Sequence, residues 1–225
     1  MCTKLLSTKI LSDSHKEPLI KAGFSLEMYD AIRIHFVDFQ IEEPIKNTIF
    51  TSQNAVHAVL KRRDTQHTTP KSMGNCFCVG QKTKDLLVKH NFQVVEMAKN
   101  ANELASVLIK KYHDRAFTFI TGTMRRAELP LRLKEAKIKV NEITAYKTLL
   151  NLKGFHTHFD GVLFFSPSAV ESYFQQNTLS KGMAFCIGQT TAHTAKKYTS
   201  LYTIATESTI EKVVQSVINH FKISG

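Results

Sequence analysis

Five short stretches carry the residues whose types and spacing could do chemistry. They are Thr51-Ser52-Gln53, Gly80-Gln81, Thr121-Gly122-Thr123, Ser166-Pro167-Ser168 and Gly188-Gln189-Thr190-Thr191. Each follows an apolar run and precedes a helix-forming one. At the end of a strand such a junction opens a helix, where free backbone N–H groups and the positive end of the helix dipole favour anions. Two such rims facing across a cleft would suit a ligand with several carboxylates. The same residues have an architectural reading. Ser52 and Ser166 suit N-caps, and Pro167 suits a first helical turn. Ser168-x-x-Glu171, Asn100-x-x-Glu103 and Ser208-x-x-Glu211 fit capping boxes. A cap leaves neighbouring N–H groups able to hold a ligand, so the two readings overlap.

Arg125-Arg126 opens another helix directly after a strand and a glycine. Arginine there opposes the helix dipole, so the pair serves either a solvated first turn or an anion contact. Tyr146 ends a long alternating segment. It is either a packed hinge aromatic or a phenol at the mouth of a cleft. His156-x-His158 is a weak pair, with no second close pair of ligands to complete a metal site, and reads as a solvated loop. The glycines form neither G-x-G-x-x-G nor a Walker loop, and no G-x-S-x-G elbow occurs. Dinucleotide binding, nucleoside triphosphate binding and Ser-His-Asp hydrolysis therefore lack support.

The elements that must position these residues alternate along the chain. Strands are expected at Lys4–Ile10, Ile32–Phe36, Asn47–Ser52, Cys76–Gly80, Phe92–Met97, Ala116–Thr121, Lys139–Leu152, Gly161–Ser166, Met183–Gly188 and Leu201–Ala205. Helices are expected at Gln53–Arg63, Gln81–His90, Asn102–Tyr112 and Arg125–Ala136, and after each of the last three strands. Such alternation points to parallel sheets with helices on both faces.

The chain also repeats itself. Ile49–Val56 can be laid on Leu163–Val170, then Cys78-Val79-Gly80-Gln81 on Cys186-Ile187-Gly188-Gln189, then Asn100-x-x-Glu103 on Ser208-x-x-Glu211. Three matches in order indicate two similar α/β units. The second copy lacks its first strand and helix, and the N-terminal segment is the natural replacement. The expected fold is therefore α/β, with two similar doubly wound parallel-sheet domains of flavodoxin or Rossmann type, joined by a two-stranded hinge. One domain would comprise residues 1–37 plus 149–225, the other 38–148.

Thirty Lys and Arg against nineteen Asp and Glu give a formal charge of +11. The positive residues are scattered, as on the wet faces of helices, so nucleic acid is disfavoured and a small polycarboxylate remains a fitting partner. No apolar run approaches the roughly 20 residues of a membrane span, and the N-terminus does not read as a secretory signal. Cys2, Cys76, Cys78 and Cys186 have no bridging pattern, which points to a reducing cytoplasm. No coiled-coil stripe occurs, so a monomer is expected.

Taken in order, these residues resemble the uroporphyrinogen-III synthase family over nearly the whole chain. The motifs are Phe50-Thr51-Ser52-x-Asn54-Ala55-Val56, Val79-Gly80, Asn100-Ala101-x-Glu103-Leu104-Ala105 and Arg126-x-x-Leu129-Pro130. They continue with Val140-x-x-x-x-Ala145-Tyr146-x-Thr148, Phe164-Phe165-Ser166-Pro167-Ser168-Ala169-Val170 and Ile187-Gly188-x-Thr190-Thr191-Ala192. The resemblance implies a carbon–oxygen lyase of tetrapyrrole and haem biosynthesis that works without metal or cofactor. Its substrate would be hydroxymethylbilane, cyclised with loss of water and inversion of the last pyrrole ring in the cleft between the domains. The pyrrole nitrogen itself expels the hydroxyl, so only mild proton assistance is needed. A phenol, with an ordinary pKa of about 10, could supply it as a hydrogen bond. The resemblance gives that role to Tyr146. Thr51, Ser52, Gln53, Gly122, Ser166, Ser168, Gly188, Thr190 and Thr191 would bind substrate, largely through backbone N–H groups, and Arg126 would make a charged contact. The residues alone leave two alternatives: a non-catalytic two-lobed binding protein for an anionic ligand, and, on charge alone, a nucleic-acid-binding protein.

Overall fold

In the structure, a computed structural model describing residues 2–41, 45–66, 73–124 and 127–223, strand and helix alternate as their apolar patterns require. The chain begins with β1 (Lys4–Ser7), α1 (Asp13–Lys21), β2 (Ser25–Met28) and β3 (Ile32–Phe36). It continues with β4 (Asn47–Phe50), α2 (Gln53–Gln66), β5 (Asn75–Val79), α3 (Gln81–Lys89), β6 (Gln93–Ala98) and α4 (Ala101–Lys111). Then come β7 (Phe117–Gly122), α5 (Glu128–Glu135), β8 (Val140–Leu150), β9 (Gly161–Phe164) and α6 (Pro167–Phe174). The last elements are β10 (Met183–Cys186), α7 (Gln189–Ala195), β11 (Tyr202–Ile204) and α8 (Ile210–Ile223). The chain divides into two compact units, Met1–Arg33 with Leu149–Gly225 and Ile34–Thr148.

The first unit holds a parallel sheet of order β11-β10-β9-β1-β2. Successive strand residues face opposite sides, so each strand feeds two cores. Leu5, Leu163 and Phe185 pack on Leu19 of α1 and on Val213, Val214 and Val217 of α8. Leu6, Val162, Phe164, Ala184 and Cys186 pack on the opposite face against Val170 and Tyr173 of α6 and Ala192 and Ala195 of α7.

The second sheet runs β3-β8-β7-β4-β5-β6, parallel from β8 to β6. Phe50, Cys76, Cys78 and Ile120 cover the face of α2 and α3, while Ile49, Phe77 and Phe119 cover that of α4 and α5. Phe77 sits edge-on to both Phe117 and Tyr112, an arrangement suited to the ring quadrupoles. The N–H of Val37 donates to the carbonyl of Ala145 and that of Asn151 to Ala31, so β3 and β8 run antiparallel.

Spatially, β9-β10-β11 stand in one sheet as β4-β5-β6 stand in the other, and β1-β2 stand as β7-β8 do. The units thus share one layout with the chain cut at different points. Several boundaries differ from the sequence reading. The first strand stops at Ser7, where the Ser7 hydroxyl turns onto the carbonyl of Lys9 and the Thr8 hydroxyl onto that of Leu163. β2 was not foreseen. It is a four-residue edge strand with only partial burial, which leaves little hydrophobic signal. The helix expected at Arg125–Ala136 is α5, from Glu128, and Arg125 and Arg126 lie outside the described residues.

Candidate active site

In a doubly wound sheet, loops at the carboxyl ends of the strands hold ligands, above all where strand order reverses. In the unit Ile34–Thr148 that reversal lies between β4 and β7. β4 runs into Thr51 and Ser52, both half-buried. The Ser52 hydroxyl accepts the N–H of Asn54 at 3.1 Å, so it caps α2 and leaves the N–H of Gln53 at the first turn.

β7 ends at Gly122, where its register against β8 slips. Thr121 pairs with Thr144, but Gly122 pairs with Tyr146, leaving Ala145 as the extra residue of a bulge. The N–H of Thr123 then donates to the carbonyl of Tyr146 at 3.1 Å. The bulge aims the Tyr146 ring over Gly122. A Cβ on residue 122 would lie 2.5 Å from Cζ of Tyr146, so glycine is needed for this close approach. The ring is half-buried and packs on the cluster containing Phe50, Ile120 and Ala145. A phenol is thereby fixed at the carboxyl end of the sheet, beside the strand whose neighbour opens α2.

In the other unit the reversal lies between β1 and β9. Ser166 follows β9 and caps α6, its hydroxyl accepting the N–H of Ala169 at 3.1 Å. Pro167 has no N–H to spare, so that of Ser168 is the first donor of this turn. Gly188 precedes α7 in an extended conformation, and a Cβ there would come 2.9 Å from the Ser208 hydroxyl. Thr190 is exposed, whereas Thr191 is buried, so its side chain serves the core.

The family match covers almost all of this scaffold. A family model described as uroporphyrinogen-III synthase HemD matches residues 13–215. The chain belongs to the uroporphyrinogen-III synthase family. No curated protein sequence matches it significantly. Among solved structures it is similar to the uroporphyrinogen-III synthetase of Helicobacter pylori 26695, with a TM-score of 0.72 and 16% identity over 97% of this chain and 99% of that one. It is also similar to a mutant uroporphyrinogen III synthase from the extremely thermophilic bacterium Thermus thermophilus, with a TM-score of 0.71 and 12% identity over 99% and 100% of the two chains. At such identities the likeness is one of fold.

For a synthase of this family, the structure therefore gathers Thr51, Ser52, Gln53, Gly122 and Tyr146 at one carboxyl rim and Ser166, Ser168, Gly188, Thr190 and Thr191 at the other. Arg126 lies outside the described residues. Two of the three capping boxes do not form. Ser168 falls inside α6, one turn position past the true cap Ser166 and Pro167. Before α8 the cap is Thr209, whose hydroxyl accepts the N–H of Lys212 at 3.2 Å. Only Asn100 caps as expected, accepting the N–H of Glu103 at 2.9 Å, while the Glu103 carboxylate reaches the N–H of Lys99.

Sequence reasoning missed the loop after β1. It brings Lys9, exposed, beside the β9 end, and Ser12 to the start of α1. The Ser12 hydroxyl lies 2.7 Å from Nδ1 of His15, whose Nε2 lies 2.7 Å from the Glu211 carboxylate. This chain ties the N-terminus of α1 to that of α8, and its long sequence separation hid it. The hydrogen bond from His15 holds the Glu211 carboxyl down at about 2. Burial pushes the thiols of Cys76 and Cys186 up to about 12 and that of Cys78 to about 11. Among the described residues no group of three or more His, Cys, Asp or Glu side chains could hold a metal ion, and no helix is long and apolar enough to cross a membrane.

Proposed function

We propose that this chain closes hydroxymethylbilane to uroporphyrinogen III with Tyr146 as the hydrogen-bond donor to the departing hydroxyl oxygen. The observation that carries the assignment is the bulge that seats the Tyr146 ring on Gly122 at the carboxyl end of β7. The pyrrole nitrogen lone pair breaks the C–O bond and leaves an azafulvene, and the departing oxygen takes up a proton and becomes water. The phenol steadies the charge gathering on that oxygen. The substituted carbon of the last ring then attacks, giving a spiro intermediate that fragments and recloses with the ring inverted and a proton lost.

The open chain can also close unaided without inversion, so the protein's main task is positioning. The first-turn N–H groups at Gln53 and Ser168, with Thr51, Ser52, Gly122, Ser166, Gly188, Thr190 and Thr191 around them, would hold the acetate and propionate arms, and Arg126 is kept as a charged contact. The same reading makes the enzyme a cytoplasmic monomer whose partner is the tetrapyrrole alone, with neither nucleic acid nor membrane. Three buried, unbridged cysteines support the reducing compartment. No observation favours the non-catalytic binding protein.

The test couples hydroxymethylbilane synthase to this chain, oxidises the products and separates the porphyrin isomers. The expected result is type III dependent on this chain, with Tyr146→Phe losing turnover while still binding product. Type I alone from a folded sample would overturn the proposal.

A further inference from the structure

At the amino ends of the strands in the unit Ile34–Thr148, opposite the Tyr146 rim, lies an open concavity of about 570 Å³. That volume lies within the range of small-molecule sites. β7 alone, from Phe117 to Gly122, separates it from the rim by roughly 17 Å at about 3.3 Å per residue. Three cations line it, Lys46 before β4, Arg115 before β7 and Lys139 before β8, against the single carboxylate of Asp114. None of the three forms an ion pair among the described residues. Arg115 lies instead over the Tyr112 ring, 4.8 Å from its centroid.

The wall of this concavity is built rather than incidental. Asn47 stands at the start of the central strand β4, only 6% exposed. A buried amide is costly unless its bonding groups are used. Its Nδ2 donates to the carbonyl of Ala116 at 3.0 Å, and its Oδ1 faces Nδ2 of Asn75 at 3.5 Å. One N–H and one lone pair of Asn47 remain beyond these. Asn75 is itself fixed, because its backbone N–H donates to Lys46 at 2.9 Å. The preceding Gly74 has φ +57°, and a Cβ there would stand 2.6 Å from the carbonyl oxygen of Ile45. Only glycine lets the turn press against the strand so closely, and that contact sets the two amides side by side.

We infer that this concavity is a second ligand site, independent of the reaction at the carboxyl rim, that takes a compact multivalent oxyanion, a polyphosphate or a polycarboxylate. The guanidinium and the two ammonium groups supply the charge, and the amides supply directional N–H donors.

The experiment is calorimetric titration of the full chain with pyrophosphate and, separately, with citrate, at about physiological ionic strength, where diffuse surface attraction is screened. One saturable site per chain is expected for at least one of the two anions, and the anion that binds identifies the source. The double variant Arg115→Gln/Lys139→Gln alters only exposed side chains. It should weaken binding at least tenfold while isomer-III formation stays within about twofold of the parent. Lys139→Gln alone, should the double variant fold poorly, should weaken binding several-fold. No saturable binding of either anion would overturn the inference. So would binding that both variants leave intact, or that tetrapyrrole product displaces, since the anion would then sit at the substrate rim.

Discussion

Replacing Gly122 by alanine should disable the enzyme while leaving the fold in place. The added methyl would lie 2.5 Å from Cζ of Tyr146, whereas carbon atoms rest at about 3.5–4.0 Å, so the ring must retreat by about 1 Å or more. Gly122 has no positive φ, so the backbone accepts alanine. Crowding costs about 1–3 kcal/mol, and the loss of glycine's freedom in the unfolded chain returns about 0.4–1 kcal/mol. The net loss of about 0–2.6 kcal/mol lowers the melting temperature by several degrees at most in a chain of this size. A misplacement of about 1 Å at a reacting centre costs on the order of a hundredfold in rate. The coupled isomer assay should therefore show type III formation falling by about that factor, with type I from spontaneous closure taking its place. A folded Gly122→Ala protein that makes type III at the parent rate would refute the reasoning, because the Tyr146 ring could then stand elsewhere without consequence.

The two roles open to Ser166 separate by size of effect. Ser166→Ala should cost about 1 kcal/mol in denaturant unfolding and Ser166→Gly only a few tenths, and a Gly variant that is stable yet slow would locate a ligand contact at this cap. A thiol-reactive disulfide should titrate Cys2 rapidly in the native protein and Cys76, Cys78 and Cys186 only after unfolding, since those three are buried with raised thiol pKa values. Fast reaction of two or more thiols would contradict that burial. Because His15 holds the Glu211 carboxyl down, its share of stability is complete above the ordinary value of 4.5 and is lost as the pH falls through about 2. In His15→Ala the Glu211 carboxyl should titrate at a clearly higher pH by carbon-13 NMR, still below its ordinary value because the backbone and Thr209 hydrogen bonds remain, and an unmoved titration would show that another group sets it.

What could be read from the sequence was whatever repeats at short range. β4 and β9 are buried at all four positions, so their apolar runs stood out, and the hydroxyl after each marked a cap. The matched glycines were visible as a pair, but their reasons differ. Gly80 needs φ +84°, while Gly188 is extended and is constrained by the nearby Ser208 hydroxyl. The bulge that carries Tyr146 onto Gly122 does reverse the phase of the strand, the inward set passing from Ile143 and Ala145 to Tyr146, Thr148 and Leu150, but the segment reads as one continuous extended run when only its apolar content is followed. Pairings across the whole chain, such as His15 with Glu211, were hidden for the simpler reason that nothing local depends on them. The edge strand β2 was missed because it buries too little to show.

The different points at which the chain is cut in the two units bear on how the molecule is made. Ile34–Thr148 is contiguous, so all its partners have been synthesised once Thr148 has emerged. The N-terminal strand has no such luck, since the Thr8 hydroxyl bonds to a carbonyl 155 residues further on. At about 5–20 residues per second the ribosome takes roughly ten seconds or more to deliver that partner. During this interval β1 has β2 on one side and an open edge on the other, with Leu5 still lacking α8 and Leu6 still lacking α6 and α7. Folding therefore reverses the order of synthesis: the middle of the nascent chain closes first, and its beginning waits for its end.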